Sequence, residues 1–248
     1  MTNPFYDPYQ VLAKVYGGAH LKIALADTPI EEAHRARTVK VCYGVLEQEQ
    51  YLSLCVKSVA SKSPKQSVRI VMKIALYFLL FLGKPRYMVT DLAVGLLKKM
   101  GKGGMAGFVN AALRSFDREK VAVPEGDAGL CVTTPYPMFA VRRLRAEYGG
   151  RTEAIVRAKS GGVSVRFVRG AERYLSRPHT ATPFENVYLF ENFTRDASFF
   201  AGDYTFQSVG SVAICHAVEP CETLLDACAA PGGKSVLLAE KCARVTAC

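Results

Sequence analysis

The sequence predicts three successive units: an all-α helical bundle over residues 1–125, a small α+β domain over residues 126–206, and the start of an α/β nucleotide-binding domain over residues 207–248. Three observations lead to this prediction. Apolar residues recur at helical spacing through the first 120 residues. Segments typical of short strands follow between residues 160 and 206. A strand, a glycine-containing turn and a helix then follow one another near the end of the chain.

Composition and charge favour a globular protein that binds a polyanion. The chain is 50% hydrophobic and 22% charged, and no apolar stretch approaches the 18 residues of a membrane span. The N-terminus lacks the pattern of a secretory signal, so a cytoplasmic protein with no membrane contact is expected. Residues 1–125 carry 18 Lys and Arg against 10 Asp and Glu. Such an excess is typical of RNA-binding surfaces, although a merely solvated basic surface is the alternative.

The eight cysteines do not form a metal-binding pattern. None stands in a Cys-x-x-Cys pair, and only four histidines accompany them. We therefore expect no metal. In a reducing compartment the thiols are expected to stay free and to act mostly as small buried side chains.

Helical periodicity dominates the first unit. Thr28-Pro29-Ile30-Glu31 has the form of a capping box and predicts a helix over Pro29–Glu49. Ser63-Pro64-Lys65-Gln66 predicts a second start, and the apolar stripe that runs from Val68 to Leu82 is expected to be most deeply buried at its C-terminal end. Further helices are predicted at Tyr87–Met100 and Ala106–Glu119, separated by a glycine-rich turn at residues 101–104.

The second unit mixes a basic helix with short strands. Pro124, Gly126 and Gly129 predict a linker over Val121–Thr134, and a basic helix is predicted to follow it. The predicted elements are the helix Pro135–Tyr148 and the strands Val163–Val168, Val187–Phe190 and Tyr204–Phe206. The helix Gln207–Ala217 is predicted to follow and to lead into the third unit. Arg166 and Arg169 are expected to lie on one face of a strand and to face solvent or RNA rather than the core.

The segment from Thr223 to Lys241 carries the pattern of a ligand site. Thr223–Ala227 predicts a strand, Cys228–Gly233 a tight turn of small residues, and Lys234–Lys241 a helix with Val236, Leu237 and Ala239 inward. Small residues allow backbone amides to approach a ligand, and the start of a helix offers unpaired N–H groups. The turn matches neither the Gly-x-Gly-x-x-Gly nor the Walker A spacing. A plain strand–turn–helix crossover without a ligand is the alternative.

The string from Asp226 to Lys234, Asp-Ala-Cys-Ala-Ala-Pro-Gly-Gly-Lys, resembles the first S-adenosylmethionine motif of the RsmB/Sun/NOP2 family of RNA cytosine-5 methyltransferases. The resemblance implies a Rossmann-like methyltransferase domain that begins in residues 207–248. It also implies S-adenosyl-L-methionine as the cofactor, with its methionine part against the turn. The cofactor-binding residues implied in this way are Cys228, Ala229, Ala230, Pro231, Gly232, Gly233 and Lys234.

Upstream segments resemble the bacterial RsmB branch in the same order. Residues 37–46 and 102–114 resemble its NusB-like helical RNA-binding domain, residues 134–144 its linker helix, and residues 165–169 the strand that follows. The resemblance implies a monomeric enzyme that methylates structured ribosomal RNA, with 16S rRNA as the expected substrate. The alternative function is a non-catalytic NusB-like module for RNA binding or transcription antitermination.

The sequence also departs from the family pattern. The family places an acidic residue after the Gln at the position of Gln207, and Ser208 stands there instead. Its Pro-Cys and Thr-Cys motifs, which supply the assisting cysteine and the nucleophile, are expected beyond Cys248. We therefore assign no catalytic residue. Cys228 is expected to serve the cofactor turn, and residues 1–248 alone are expected to be inactive.

Several basic and polar side chains are candidates for RNA contact. Two lie one helical turn apart in the NusB-like segment and three lie on the basic helix: Asn110, Arg114, Arg142, Arg143 and Arg145. Phosphate contacts by such residues would position the RNA. Ordinary capping and solvated surface charge are the alternatives for the same residues.

Overall fold

The computed structural model describes residues 3–158 and 161–248, which divide into two compact units at the gap between these ranges. The N-terminal unit is helical, and the C-terminal unit combines helices with two sheets. The helices of the N-terminal unit are α1 (Tyr6–Tyr16), α2 (Leu21–Ala26), α3 (Glu32–Glu47), α4 (Glu49–Ser58), α5 (Gln66–Leu80), α6 (Arg86–Lys99), α7 (Ala106–Ser115), α8 (Gly126–Thr133), α9 (Met138–Tyr148) and α10 (Thr152–Arg157). Within the described residues, no helix is both long and apolar enough to span a bilayer.

A single apolar core runs through helices α1 to α7, and α5 is its central element. The stripe on α5 is confirmed, since Val68, Val71 and Leu76 are all buried. The depth of burial differs from the prediction, because residues 70–78 are buried and Phe81 at the end is 42% exposed. Gly83 ends the segment with a φ of 60°, which L side chains rarely adopt. The middle of α5 therefore passes through the core and its C-terminal end approaches the surface.

The predicted capping boxes are wrong, although the helices behind them exist. Helix α3 begins at Glu32, where no side chain caps the first turn, and the hydroxyl of Thr28 donates to the carbonyl of Ala24 instead. Helix α5 begins at Gln66, likewise without a side-chain cap, while Ser63 accepts a hydrogen bond from Arg69. Both hydroxyls are used by local contacts that compete with capping. The two helices therefore begin later than the capping pattern predicts.

The segment after residue 120 is more helical than predicted. Helix α8 lies within the predicted linker because Leu130 and Cys131 pack against Val141 and Val156. Burial of these side chains outweighs the low helix propensity of the neighbouring glycines. The basic helix is confirmed as α9. The division into domains at residues 125/126 and 206/207 stays a prediction.

The C-terminal unit begins with the elements β1 (Val163–Phe167), β2 (His179–Ala181), β3 (Val187–Phe190), α11 (Ala197–Phe200) and β4 (Tyr204–Phe206). The four strands form an antiparallel sheet in the order β2-β3-β1-β4. One face of the sheet carries an aromatic cluster that includes Phe167, Tyr174, Phe190 and Tyr204. The predictions for β3 and β4 are confirmed to the residue, and β2 was missed because its side chains are all exposed.

The remainder of the unit forms a strand–turn–helix–strand arrangement in which the two strands pair in parallel. Leu237 and Leu238 of the intervening helix are buried against Val212 and Cys215. The prediction that Val236 and Ala239 point inward is wrong, since both are exposed. The elements are α12 (Val209–Ala217), β5 (Thr223–Asp226), α13 (Gly233–Leu238) and β6 (Arg244–Ala247).

Candidate cofactor-binding site

The buried carboxylate of Asp226 organises the turn between β5 and α13. Asp226 is the last residue of β5 and is only 8% exposed. One carboxylate oxygen accepts the backbone N–H of Cys228 at 3.1 Å, and the other accepts the hydroxyl of Ser235 at 2.7 Å. A carboxylate that accepts such bonds fixes its neighbours more strongly than a neutral acceptor. Asp226 thereby ties the start of the turn to the first turn of α13.

The main chain of the turn is also held from the side of β6. Ala229 N–H donates to the carbonyl of Cys248 at 3.2 Å, and Cys248 N–H donates to the carbonyl of Asp226 at 3.0 Å. Ala229 is buried, whereas Cys228, Ala230 and Pro231 are exposed. The strand ladder therefore continues one step into the turn, and the rest of the turn faces outward.

Two glycines form the outer part of the turn and face open space. Gly232 has a φ of 100°, a conformation that requires glycine. Gly233 begins α13 with no such requirement, and a Cβ built on it would meet no other atom within 4 Å. Neither conformation nor packing within the chain therefore requires a glycine at position 233. Close approach by a bound molecule would require one.

A buried polar chain connects β1 to the start of α13. Gln207, only 6% exposed, donates from Nε2 to the carbonyl of Gly233 at 3.0 Å and accepts from Arg166 Nε at 2.8 Å. Arg166 Nη1 also donates to Glu240 Oε1 at 2.9 Å. The expectation that Arg166 faces solvent or RNA is wrong, since it is 4% exposed. Its buried guanidinium needs these acceptors. Arg169 lies outside β1, is largely exposed and pairs with Asp203.

A cavity of about 300 Å³ opens beside the turn. On one side lie Pro231, Gly232 and Gly233, and Val236 of α13 continues that wall. The other side is formed by residues of the antiparallel sheet and its loops, namely Arg166, Val168, Phe199, Gly202, Tyr204 and Thr205. The cavity thus brings together three of the seven predicted cofactor-binding residues and the buried arginine.

The other predicted cofactor-binding residues lie around the same turn. Lys234 is half-buried in the first turn of α13, and its carbonyl accepts the thiol of Cys215 at 3.7 Å. Burial raises the pKa of that Cys215 thiol, so it stays protonated and acts as a packing group. Cys228 exposes its side chain at the beginning of the turn.

The one Pro-Cys pair of the sequence, Pro220-Cys221, lies before the N-terminal end of β5. The turn lies at the opposite end of that strand, so Cys221 is remote from it. Of the cysteines after the turn, Cys242 follows Lys241 and Cys248 follows Ala247, so neither belongs to a Pro-Cys or Thr-Cys pair.

No group of three or more potential metal ligands comes together within residues 3–158 and 161–248.

The candidate RNA-contact residues lie in the N-terminal unit. On α7, Asn110 is half-buried and Arg114 is exposed. On α9, Arg142 is exposed, Arg143 pairs with Glu147 at 2.6 Å, and Arg145 pairs with Asp127. Exposed pairs of this kind contribute little to stability and can exchange for a phosphate. Their role in RNA binding stays a prediction.

Residues 10–118 match the NusB family. A Bacillus subtilis (strain 168) protein named "Probable ribosomal RNA small subunit methyltransferase B" is 28% identical, over 92% of this chain and 56% of its own length. A Xylella fastidiosa (strain 9a5c) protein named "Ribosomal RNA small subunit methyltransferase B" is 31% identical, over 63% of this chain and 40% of its own length. The chain thus spans about half the length of these relatives.

The fold is also similar to the crystal structure of PH0851, with a TM-score of 0.64. The structural alignment covers 97% of this chain and 61% of that one. The two sequences are 16% identical, so this similarity concerns the fold alone. Residues 10–118 thus resemble the NusB family, and over most of its length the chain is similar to proteins named ribosomal RNA small subunit methyltransferase B, of the RsmB/Sun family.

Proposed function

We propose that this chain binds S-adenosyl-L-methionine at the turn of residues 228–234 and serves the methylation of cytosine C5 in structured ribosomal RNA. The observation that carries the proposal is the glycine turn. Hydrogen bonds to Asp226 and Gln207 hold its main chain, and no protein atom fills the space beside its two glycines. The names of the similar proteins support the same function. The parallel β5–α13–β6 arrangement is consistent with the start of a Rossmann-like domain.

The residues of the turn fit the cofactor. The cofactor would supply the methyl group when bound. The open face at Gly232 and Gly233 leaves room for its methionine part against the main chain. Asp226 and Gln207 form hydrogen bonds with the main chain of the turn and keep it in one conformation before the cofactor binds. Such preorganisation lowers the cost of binding.

The N-terminal unit would bind the RNA. Its excess of basic residues attracts a polyanion, and the exposed Arg114 and Arg142 are available for phosphate contacts. No cysteine after the turn stands in a Pro-Cys or Thr-Cys pair, so we expect a polypeptide of residues 1–248 to bind cofactor and RNA without transferring the methyl group.

Substitution of Gly233 by alanine tests the cofactor site. Because its Cβ would meet no protein atom, Gly233→Ala is expected to leave the free energy of unfolding unchanged or slightly raised. The same Cβ would stand in the space assigned to the cofactor. Calorimetric titration should show at least a tenfold loss of S-adenosylmethionine affinity, which is about 1.4 kcal/mol.

Gly210→Ala is the matched control, since Gly210 lies in α12 of the same unit and its Cβ would also meet no atom within 4 Å. It should leave the affinity unchanged. Equal affinities for the parent and Gly233→Ala, or no binding by the parent, would contradict the cofactor site.

The reaction is tested with the complete reading frame that contains this sequence. Purified protein, labelled cofactor and small-subunit ribosomal RNA should yield labelled 5-methylcytidine after nuclease digestion. RNA binding without cofactor binding or methyl transfer would instead support a NusB-like module for RNA binding or antitermination.

A further inference from the structure

A cavity in the N-terminal unit has the features of an anion-binding site. It has a volume of about 520 Å³ and lies between the end of α1, the length of α4, the loop that follows α4, and the first half of α5. That volume lies within the usual range for small-molecule sites.

The floor of the cavity is a satisfied polar cluster. Lys73 is only 2% exposed, and its ammonium group donates to the carboxylate of Glu49. The same carboxylate accepts the hydroxyl of Tyr16 and, at 3.3 Å, the hydroxyl of Ser53. The charge of Glu49 is therefore balanced by Lys73 and its oxygens are occupied. A carboxylate in this state opposes an incoming anion much less than a free one would.

The rim of the cavity carries positive charge that is not balanced. Arg69 donates to the hydroxyl of Ser63 at 3.3 Å, and Lys57 lies near the end of α4. Within residues 3–158, no carboxylate lies within 4 Å of either cation. Both cations line the same cavity, so an anion that entered it could be held by both.

Part of the wall is apolar. Val56, Ala60 and Pro64 lie on the side formed by α4 and its following loop. An inorganic anion would use the cations alone, whereas a nucleotide would also place its base or ribose against this wall. Pockets that combine an apolar wall with a few fixed polar groups are typical of organic ligands.

We infer that this cavity binds a nucleotide, with the phosphate held by Arg69 and Lys57 and the remainder of the nucleotide against the apolar wall. The phosphate could belong to a free nucleotide or to an RNA strand that enters the cavity. The site is separate from the proposed cofactor turn and does not require methyl transfer. The Lys73–Glu49 pair keeps the floor electrically neutral beneath the phosphate.

The test compares the parent with the double variant Lys57→Gln/Arg69→Gln. Three probes are titrated calorimetrically: cytidine 5′-monophosphate, inorganic phosphate and a short single-stranded RNA. The double variant should lose at least tenfold in affinity for the RNA or for cytidine monophosphate. With RNA, the slope of log affinity against log salt should fall by about 0.7 for each lost phosphate contact.

Arg37→Gln/Lys40→Gln is the matched control, because it removes the same charge from exposed positions of α3 that do not line the cavity. It should lower the affinity by much less than the test variant. Circular dichroism and thermal unfolding establish that both variants fold.

The probes separate the two sources of the phosphate. Loss of cytidine monophosphate binding would show that a free nucleotide suffices, and a loss confined to the RNA would assign the phosphate to a strand. The inference is overturned if the parent binds none of the probes, if inorganic phosphate binds as tightly as the nucleotide, or if the control variant loses as much affinity as the test variant. Cofactor binding at Gly233 is unaffected by any of these results.

Discussion

The two compact units differ in what fixes their structure. In the N-terminal unit, apolar side chains from seven helices form one core, and the central helix α5 is buried on most of its surface. Around the candidate cofactor turn, Leu225 and Val236 are 64% and 57% exposed. A few hydrogen bonds hold the main chain there: Asp226 accepts the N–H of Cys228, and Gln207 donates to the carbonyl of Gly233. Many interchangeable contacts therefore support the first region, and a few specific ones support the second.

This difference separates the effects of substitution. A change in the helical core should alter folding, because burial of apolar surface dominates stability there. A change in the polar contacts of the turn should alter the geometry of a binding site more than the existence of the fold.

Leu76→Asp should have the largest effect. Leu76 is fully buried in α5, so the variant places an unpaired charge in the core and loses the packing of the leucine. The expected loss is about 3–5 kcal/mol or more, enough to abolish cooperative unfolding of the N-terminal unit. Thermal unfolding followed by far-UV circular dichroism measures it.

Leu225→Asp is the corresponding change near the candidate cofactor turn. Because Leu225 is 64% exposed, the stability should change by no more than about 0.5 kcal/mol. If Leu76→Asp unfolds like the parent, or if Leu225→Asp is the more damaging of the two, the contrast between the regions is wrong.

The same contrast explains what the sequence could predict. Helix α5 and strands β3 and β4 follow from local patterns of apolar residues, which their burial or pairing confirms. The small residues and glycines within Asp226–Lys234 predicted the turn between β5 and α13, because they are typical of a tight turn. Arg166 and Gln207 were not predicted as partners, since they are 41 residues apart and only tertiary pairing brings them together. Helix α8 was missed because its glycines indicated a linker, whereas packing of Leu130 and Cys131 determines its conformation.

Oxidation should join Cys221 to Cys242. Their sulfur atoms lie 3.3 Å apart as free thiols, and Cys221 is exposed to reagents. Hydrogen peroxide would remove one hydrogen from each thiol, form the S–S bond and yield two water molecules. Closing a loop of 21 residues should stabilise the β5–α13–β6 region by about 3 kcal/mol.

Mass spectrometry of a peptide digest without reduction identifies the cross-link, and denaturant unfolding measures its effect. The exposed Cys228 should remain outside the cross-link, so Cys228→Ser should behave as the parent and Cys221→Ser should not form the bond. Oxidation of Cys228 or Cys248 in preference to the pair would contradict the geometry around β5 and β6.

Alkaline pH should weaken the N-terminal unit through its buried thiols. Burial raises the pKa of Cys42 from 9.0 to about 12 and that of Cys55 to about 11. Between pH 9 and these values the folded state keeps protons that the unfolded state has lost, so stability falls as pH rises. Each such thiol should contribute about 1.4 kcal/mol per pH unit in that window.

Cys42→Ala should reduce this slope, whereas Cys228→Ala, at an exposed position of the other unit, should leave it unchanged. Urea unfolding of the three proteins between about pH 8 and about pH 11 measures the slopes. Identical slopes for the parent and Cys42→Ala would mean that Cys42 is not buried as a neutral thiol.

Gln207→Leu should lower the free energy of unfolding less than Leu76→Asp does, but its effect on cofactor binding is more informative. It leaves Arg166 Nε buried without its acceptor, at a cost of about 1–3 kcal/mol, and removes the donor to the carbonyl of Gly233. Gln207→Glu keeps an acceptor for Arg166 but has no side-chain N–H to donate to the carbonyl of Gly233. If the bond to Gly233 positions the turn, both variants should lose affinity for S-adenosylmethionine, while only Gln207→Leu should lose stability. If Gln207→Glu binds the cofactor as the parent does, the polar chain supports the fold alone, and the two regions differ less than their contacts indicate.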